Sequence, residues 1–134
     1  MFASVVLLLS LFGCREKGVS IYPVEGEVVW NDGRPAQKLV RGTVSLRGGH
    51  GINPNAKIQS DGTFKLHTRG LGEGVPAGEY SAVVMPPETF MHTPQQSLID
   101  PRYKSHKTSG LKVVVEPREN YVKLEVKRPG AHRN

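Results

Sequence analysis

The chain has 134 residues and a formal net charge of +6, from 18 Lys+Arg against 12 Asp+Glu. That length suits one domain with a core of its own and is too short for two ordinary domains. Hydrophobic residues at 37% and charged residues at 22% exclude a disordered tail and a polytopic membrane protein. A single Cys excludes an internal disulfide framework and a cysteine-based zinc site. With 15 Gly and 10 Pro the chain is turn-rich, which fits many short strands and disfavours a helical bundle.

Residues 1–13 carry no charge, and Val5-Val6-Leu7-Leu8-Leu9-Ser10-Leu11-Phe12 is an apolar run closed by Gly13-Cys14. A spanning helix needs about 20 apolar residues, so this run is too short to be one. It has the length of a secretory signal core. Leu11-Phe12-Gly13-Cys14 resembles the lipobox of bacterial lipoproteins, Leu-x-Gly-Cys. The resemblance implies that Cys14 Sγ receives a diacylglyceryl group, that the chain is cut before Cys14, and that the new amine is acylated, as with palmitate. Each buried acyl CH₂ contributes roughly 0.8 kcal/mol, and stable anchoring takes at least two chains. No Lys or Arg precedes the run, so a precursor starting upstream of Met1 is expected. A buried N-terminal strand with an incidental free Cys is the competing reading. The expected layout is a signal peptide over 1–13, a polar tether over 14–20, a β-sandwich domain over 21–128 and a basic tail over 129–134.

Beyond the tether the chain reads as strands. In Ile21 to Trp30, Val24, Gly26, Val28 and Trp30 share one face while Glu25 and Glu27 take the other. Asn31-Asp32-Gly33-Arg34-Pro35 is a turn. Val44 and Leu46 alternate with Ser45 and Arg47 in a second strand, and Gly48 to Asn55 forms a loop. Ala56 to Ser60 and Thr63 to Thr68 read as a hairpin around Asp61-Gly62, with Ile58, Phe64 and Leu66 inward and Lys57, Gln59, Lys65 and His67 outward. Pro76-Ala77-Gly78-Glu79-Tyr80 leads into a strand over Ser81 to Met85, stopped by Pro86-Pro87. Leu111 to Glu116 and Tyr121 to Lys127 are the last two strands, joined by Pro117 to Asn120. About seven strands at this spacing predict an all-β, antiparallel, Ig-like sandwich. The long insertion Thr89 to Ser109 has room for one turn of helix.

Four elements taken together resemble a known family: Tyr22-Pro23-Val24-Glu25-Gly26-Glu27-Val28, Asp32-Gly33-Arg34-Pro35, Asp61-Gly62-Thr63-Phe64-Lys65-Leu66 and Pro76-Ala77-Gly78-Glu79-Tyr80. They are similar to small bacterial lipoproteins with a carboxypeptidase-regulatory-like, transthyretin-like (prealbumin-like) domain, and the likeness runs over residues 14–127. It implies a β-sandwich at the cell envelope and brings no catalytic residues with it. The chain departs from the family at Gly33 to Gly42, where Gln37-Lys38-Leu39-Val40-Arg41 replaces a small apolar run. Transthyretin-like folds include a hydrolase of purine breakdown. Its C-terminal Tyr-Arg-Gly-Ser signature is absent here, so that activity is not expected.

The residues that could carry chemistry are dispersed. His50, His67, His92, His106 and His132 show no metal-ligand spacing, and Asp32, Asp61 and Asp100 each belong to a turn. Ser45, Ser60 and Ser81 lack a nucleophile-elbow context. No metal, cofactor or catalytic residue is therefore expected, and a hydrolase using His67 or His92 is the enzyme-class alternative. Charge is more informative. Nine Lys+Arg against three acids follow residue 100, so the whole net charge lies in that part of the chain. A solvated edge strand kept soluble by Lys and a contact with anionic lipid headgroups or envelope polymers are the two readings. With aromatics at 7%, nucleic acid is not an expected partner. The expectation is an exported, lipid-anchored envelope protein with a structural or binding role. Its alternative is a carbohydrate- or peptide-binding module using the loops Gly48 to Asn55, Arg69 to Pro76 and Pro87 to Ser109, with Phe90 and Tyr103 as stacking residues.

Overall fold

The computed structural model describes residues 19–87 and 98–128. The signal-like run, Cys14, Phe90, His92, the tail from 129 to 134 and His132 within it lie outside the described residues. Eleven strand segments are found among the described residues: β1 (Ile21–Tyr22), β2 (Val24–Trp30), β3 (Thr43–Gly48), β4 (Asn55–Lys57), β5 (Thr63–Lys65), β6 (His67–Thr68), β7 (Gly72–Glu73), β8 (Val75–Pro76), β9 (Gly78–Met85), β10 (Leu111–Val115) and β11 (Asn120–Val126). The run expected from Ile21 to Trp30 is divided at Pro23, which has no N–H to give a ladder. The helical turns found are short 3₁₀ pieces at Gln37–Leu39, Gly49–Gly51 and Pro101–Lys104, the last inside the long insertion.

The strands form a six-stranded sheet in the order β10-β9-β3-β4-β6-β7, a three-stranded sheet β11-β2-β5, and a two-stranded pair β1-β8. Period-2 alternation sends one side of each main sheet into a common interior. Val24, Val28, Trp30, Phe64, Leu124 and Val126 come from the smaller sheet, and Val44, Leu46, Tyr80, Ala82, Val84, Val113 and Val115 from the larger. All belong to one buried cluster, so the fold is all-β and sandwich-like.

Two pairings depart from expectation. β2 and β11 run parallel, from Val24 opposite Asn120 to Trp30 opposite Val126, whereas every other ladder is antiparallel. The wholly antiparallel sandwich is corrected accordingly. Alternation satisfies either direction. The direction is set by the path between β2 and β11, which is long enough to make the crossover that a parallel pair requires.

The second departure is at Asp61-Gly62. The tight turn is there: Gly62 N–H donates to the Gln59 carbonyl at 2.9 Å, Gln59 N–H to the Thr63 carbonyl at 2.8 Å, and Gly62 has φ +84°. The flanking runs do not zip into a hairpin, however. β4 pairs with β3 and β6 in the larger sheet, while β5 pairs with β2 in the smaller one. The chain passes from one sheet to the other at this turn, so both runs keep their inward faces without facing each other. Ile58, Phe64 and Leu66 are buried and Lys57, Gln59, Lys65 and His67 exposed, as the alternation predicts.

Candidate ligand-binding groove

The outer face of the six-stranded sheet carries a row of three polar side chains. Arg47 on β3 and Lys112 on β10 are both the register partners of Ser81 on β9. Residues aligned in this way point to the same face, so a guanidinium and an ammonium flank one hydroxyl, with the two outer Cα atoms roughly 10 Å apart. The neighbours of each of these residues in sequence are inward and apolar: Leu46, Tyr80, Ala82 and Val113 are all buried. Two residues along β9 on the same face stands Glu79, opposite the exposed Val114 of β10. These five residues line an open cavity of about 420 Å³ together with Gly48, Gly49, Tyr80 and Val113.

The floor is rigid for identifiable reasons. Tyr80 is buried beneath the groove, and its hydroxyl donates to the Pro76 carbonyl at 2.7 Å, which ties the turn before Glu79 to the strand that follows it. Burial pushes the Tyr80 phenol above its ordinary value, so it remains a neutral donor.

His106 reaches the same row from the segment after Asp100. Asp100 caps the 3₁₀ turn at Pro101–Lys104 by accepting from Arg102 N–H at 3.0 Å, and Thr108 donates its hydroxyl to the Arg102 carbonyl at 2.7 Å. Ser109 N–H donates to the Ser105 carbonyl at 2.9 Å. These local bonds hold the Ser105 to Ser109 turn with His106 over Ser81, and His106 Nδ1 is 2.7 Å from Ser81 Oγ. Burial, reinforced by the Arg47 charge, holds the His106 imidazole below its ordinary value. At neutral pH the ring is therefore uncharged; its tautomer sets which partner donates, since Ser81 Oγ also reaches the Arg47 carbonyl at 3.4 Å and donates there when Nδ1 carries the ring proton.

A hydroxyl on an imidazole suggests a nucleophile and its base. The surroundings do not extend that chemistry. Ser81 lies in the middle of β9 between two paired neighbours, so the adjacent backbone N–H groups are spent in ladders and none is presented to an oxyanion. Among the described residues no carboxylate orients the other ring nitrogen. What the groove does offer is unpaired charge. Exposed ion pairs occur elsewhere: Lys65 with Glu25 at 3.4 Å, Lys123 with Glu27 at 3.6 Å, Arg128 with Asp32 at 2.7 Å, and Arg118 with Glu116. Arg47, Lys112 and Glu79 form no ion pair among the described residues.

The residues singled out in the sequence are not the ones brought together here. Tyr103 is 5% exposed and part of the core; its ring is covered on one side by Arg102, and its hydroxyl accepts from Lys127 N–H at 3.2 Å. It is not presented for stacking on a ligand, which corrects its expected role. Phe90, Cys14 and His92 are outside the described residues, and His67 is exposed on β6 without a catalytic partner among them. Of the three expected binding loops, the one from Gly48 to Asn55 contributes two residues to the groove. The residues missed were Arg47, Glu79, Ser81, His106 and Lys112. Their one signal is that Arg47, Ser81 and Lys112 occupy outward positions of otherwise apolar strands. Which of them are neighbours follows from strand register.

No protein-family model, curated protein or solved structure matches the chain.

Proposed function

We propose that this chain is a lipid-anchored cell-envelope protein whose β domain is a non-catalytic binding module for an anionic ligand. The observation that carries the reading is the row Arg47–Ser81–Lys112, two cations and a hydroxyl walling one cavity with no carboxylate paired to either cation among the described residues. Two flanking positive charges suit a phosphate or carboxylate group, to which both cations give charge-assisted hydrogen bonds. The mid-strand setting of Ser81 favours binding over hydrolysis, because there are no free backbone donors for a developing charge. The Ig-like, transthyretin-like form of the sandwich rests on the Asp-Gly turn and the Pro-Ala-Gly-Glu-Tyr element, and the anchor rests on Leu11-Phe12-Gly13-Cys14.

Calorimetric titration of the full chain in detergent with inorganic phosphate tests the groove. Saturable binding that weakens about tenfold or more in both Arg47→Ala and Lys112→Ala is expected, since each removes a charge-assisted contact. Binding unchanged by either substitution would place the anion elsewhere. Metabolic labelling with a palmitate analogue tests the anchor: the wild type should be tagged and Cys14→Ser spared, and equal labelling would remove it.

A further inference from the structure

The groove holds one charge that an anion alone does not use. Glu79 stands two residues from Ser81 on the same face of β9, about 6.8 Å along the strand. It lies one row from both Arg47 and Lys112 and pairs with neither among the described residues. A simple anion between Arg47 and Lys112 would gain nothing from Glu79 and would be repelled by it. A ligand with a positive charge a short distance from its negative one turns that cost into a contact.

We infer that the groove takes a zwitterionic ethanolamine phosphate group, its phosphate between Arg47 and Lys112 beside the Ser81–His106 contact and its ammonium against the Glu79 carboxylate. This rests on the reading of the groove as an anion site. The phosphate presents several oxygens in a tetrahedron, enough to meet a guanidinium and an ammonium from opposite sides, which a planar carboxylate does less well. The two-carbon link to the ammonium matches the short step from Ser81 to Glu79. Val114, exposed beside Glu79, offers those methylenes an apolar wall. The group occurs both as a lipid headgroup and as a free or polymer-borne ester, and the chemistry of recognition is the same for each.

The experiment compares O-phosphoethanolamine with ethyl phosphate, which differs from it by the ammonium. Both are titrated into the full chain in detergent, and one-dimensional NMR of each variant verifies its fold. Phosphoethanolamine should bind roughly threefold or more tightly, the scale of an exposed charge pair. Glu79→Gln should abolish that preference while leaving or slightly improving the affinity for ethyl phosphate. Equal affinities in the wild type would overturn the ammonium contact and leave the anion site standing. No binding of either ester would overturn both. A preference that survives in Glu79→Gln would also overturn the assignment to Glu79. Flotation with vesicles of phosphatidylcholine, with or without phosphatidylethanolamine, then separates the sources: a gain that depends on Glu79 identifies the lipid headgroup, and solution binding without it identifies the free or polymer-borne ester.

Discussion

Gly26 on β2 sits directly opposite Phe64 on β5, and the Phe64 ring occupies the space that a side chain at Gly26 would need. A Cβ at Gly26 would lie 2.6 Å from Phe64 Cζ and closer still to the carbonyl oxygen of Val122, its partner on β11. The missing side chain thus lets three strands close over one buried aromatic. Gly26→Ala should destabilise the domain by about 1–3 kcal/mol through overpacking against backbone that cannot move aside. The urea midpoint reads it. A midpoint equal to wild type would mean that β11, β2 and β5 are not packed in this register.

The same aromatic gives a contrast between neighbours. Phe64 is 1% exposed, while Lys65 beside it points outward to an exposed pair with Glu25. Phe64→Ala should cost about 3–5 kcal/mol from lost transfer energy and the cavity left behind. Lys65→Ala should cost no more than about 0.5 kcal/mol, because exposed ion pairs contribute little. Comparable losses in the two variants would show that the alternation of β5 is misread.

The turn that carries the chain between sheets is held by backbone conformation and one carboxylate. Gly62 has φ +84°, and a Cβ there would meet the Val28 carbonyl oxygen at 3.4 Å, so Gly62→Val should cost about 1–2 kcal/mol or more. Asp61 Oδ1 accepts from the Thr63 hydroxyl at 2.6 Å and from Thr63 N–H at 3.0 Å, and these bonds hold its carboxyl below the ordinary range, the hydroxyl bond foremost. Because the folded value is the lower one, this contribution is full above the unfolded value of about 3.9 and is lost as pH falls through the folded value. The stability difference between wild type and Asp61→Ala should therefore narrow as pH drops below about 4. A difference that does not change with pH would show that the carboxylate form is not what holds the turn.

These positions mark what was legible in the sequence. Period-2 alternation states which face a residue takes, so it places Val24, Val28, Phe64 and Leu66 inside and Glu25 and Lys65 outside, as the fold has them. Alternation is silent about partners. A strand satisfied on its buried face pairs equally well with a neighbour running either way, so the parallel β2–β11 ladder and the parting of β4 from β5 left no local trace. The groove depends on partners entirely. Arg47 and Lys112 are 65 residues apart in numbering and meet only because β9 lies between β3 and β10. Tyr103 was misread for a related reason: in a segment with no period, an aromatic among Arg102 and Lys104 carries no signal of which way it faces.

The His106 imidazole stands beside that groove, against Ser81. The groups facing His106 are Ser81 of β9 in direct contact and Arg47 of β3, with Lys112 of β10 and Glu79 on the same sheet face; Lys104 and Lys107 flank it in its own segment. Burial is the larger cause of its lowered value and the Arg47 charge the smaller. An NMR titration of the ring protons should give a midpoint below the ordinary 6.5 or so, and Arg47→Ala should raise it only part of the way back. The folded chain then binds fewer protons than the unfolded one between the two values. Stability is full above the unfolded value and falls as pH drops through it toward the folded value. An anion seated between Arg47 and Lys112 reverses the local field, so saturating phosphate should raise the midpoint, and by linkage phosphate should bind more tightly to the protonated ring. A midpoint above the ordinary value without phosphate would mean that the imidazolium is the favoured form, and that burial and the Arg47 charge do not govern the ring.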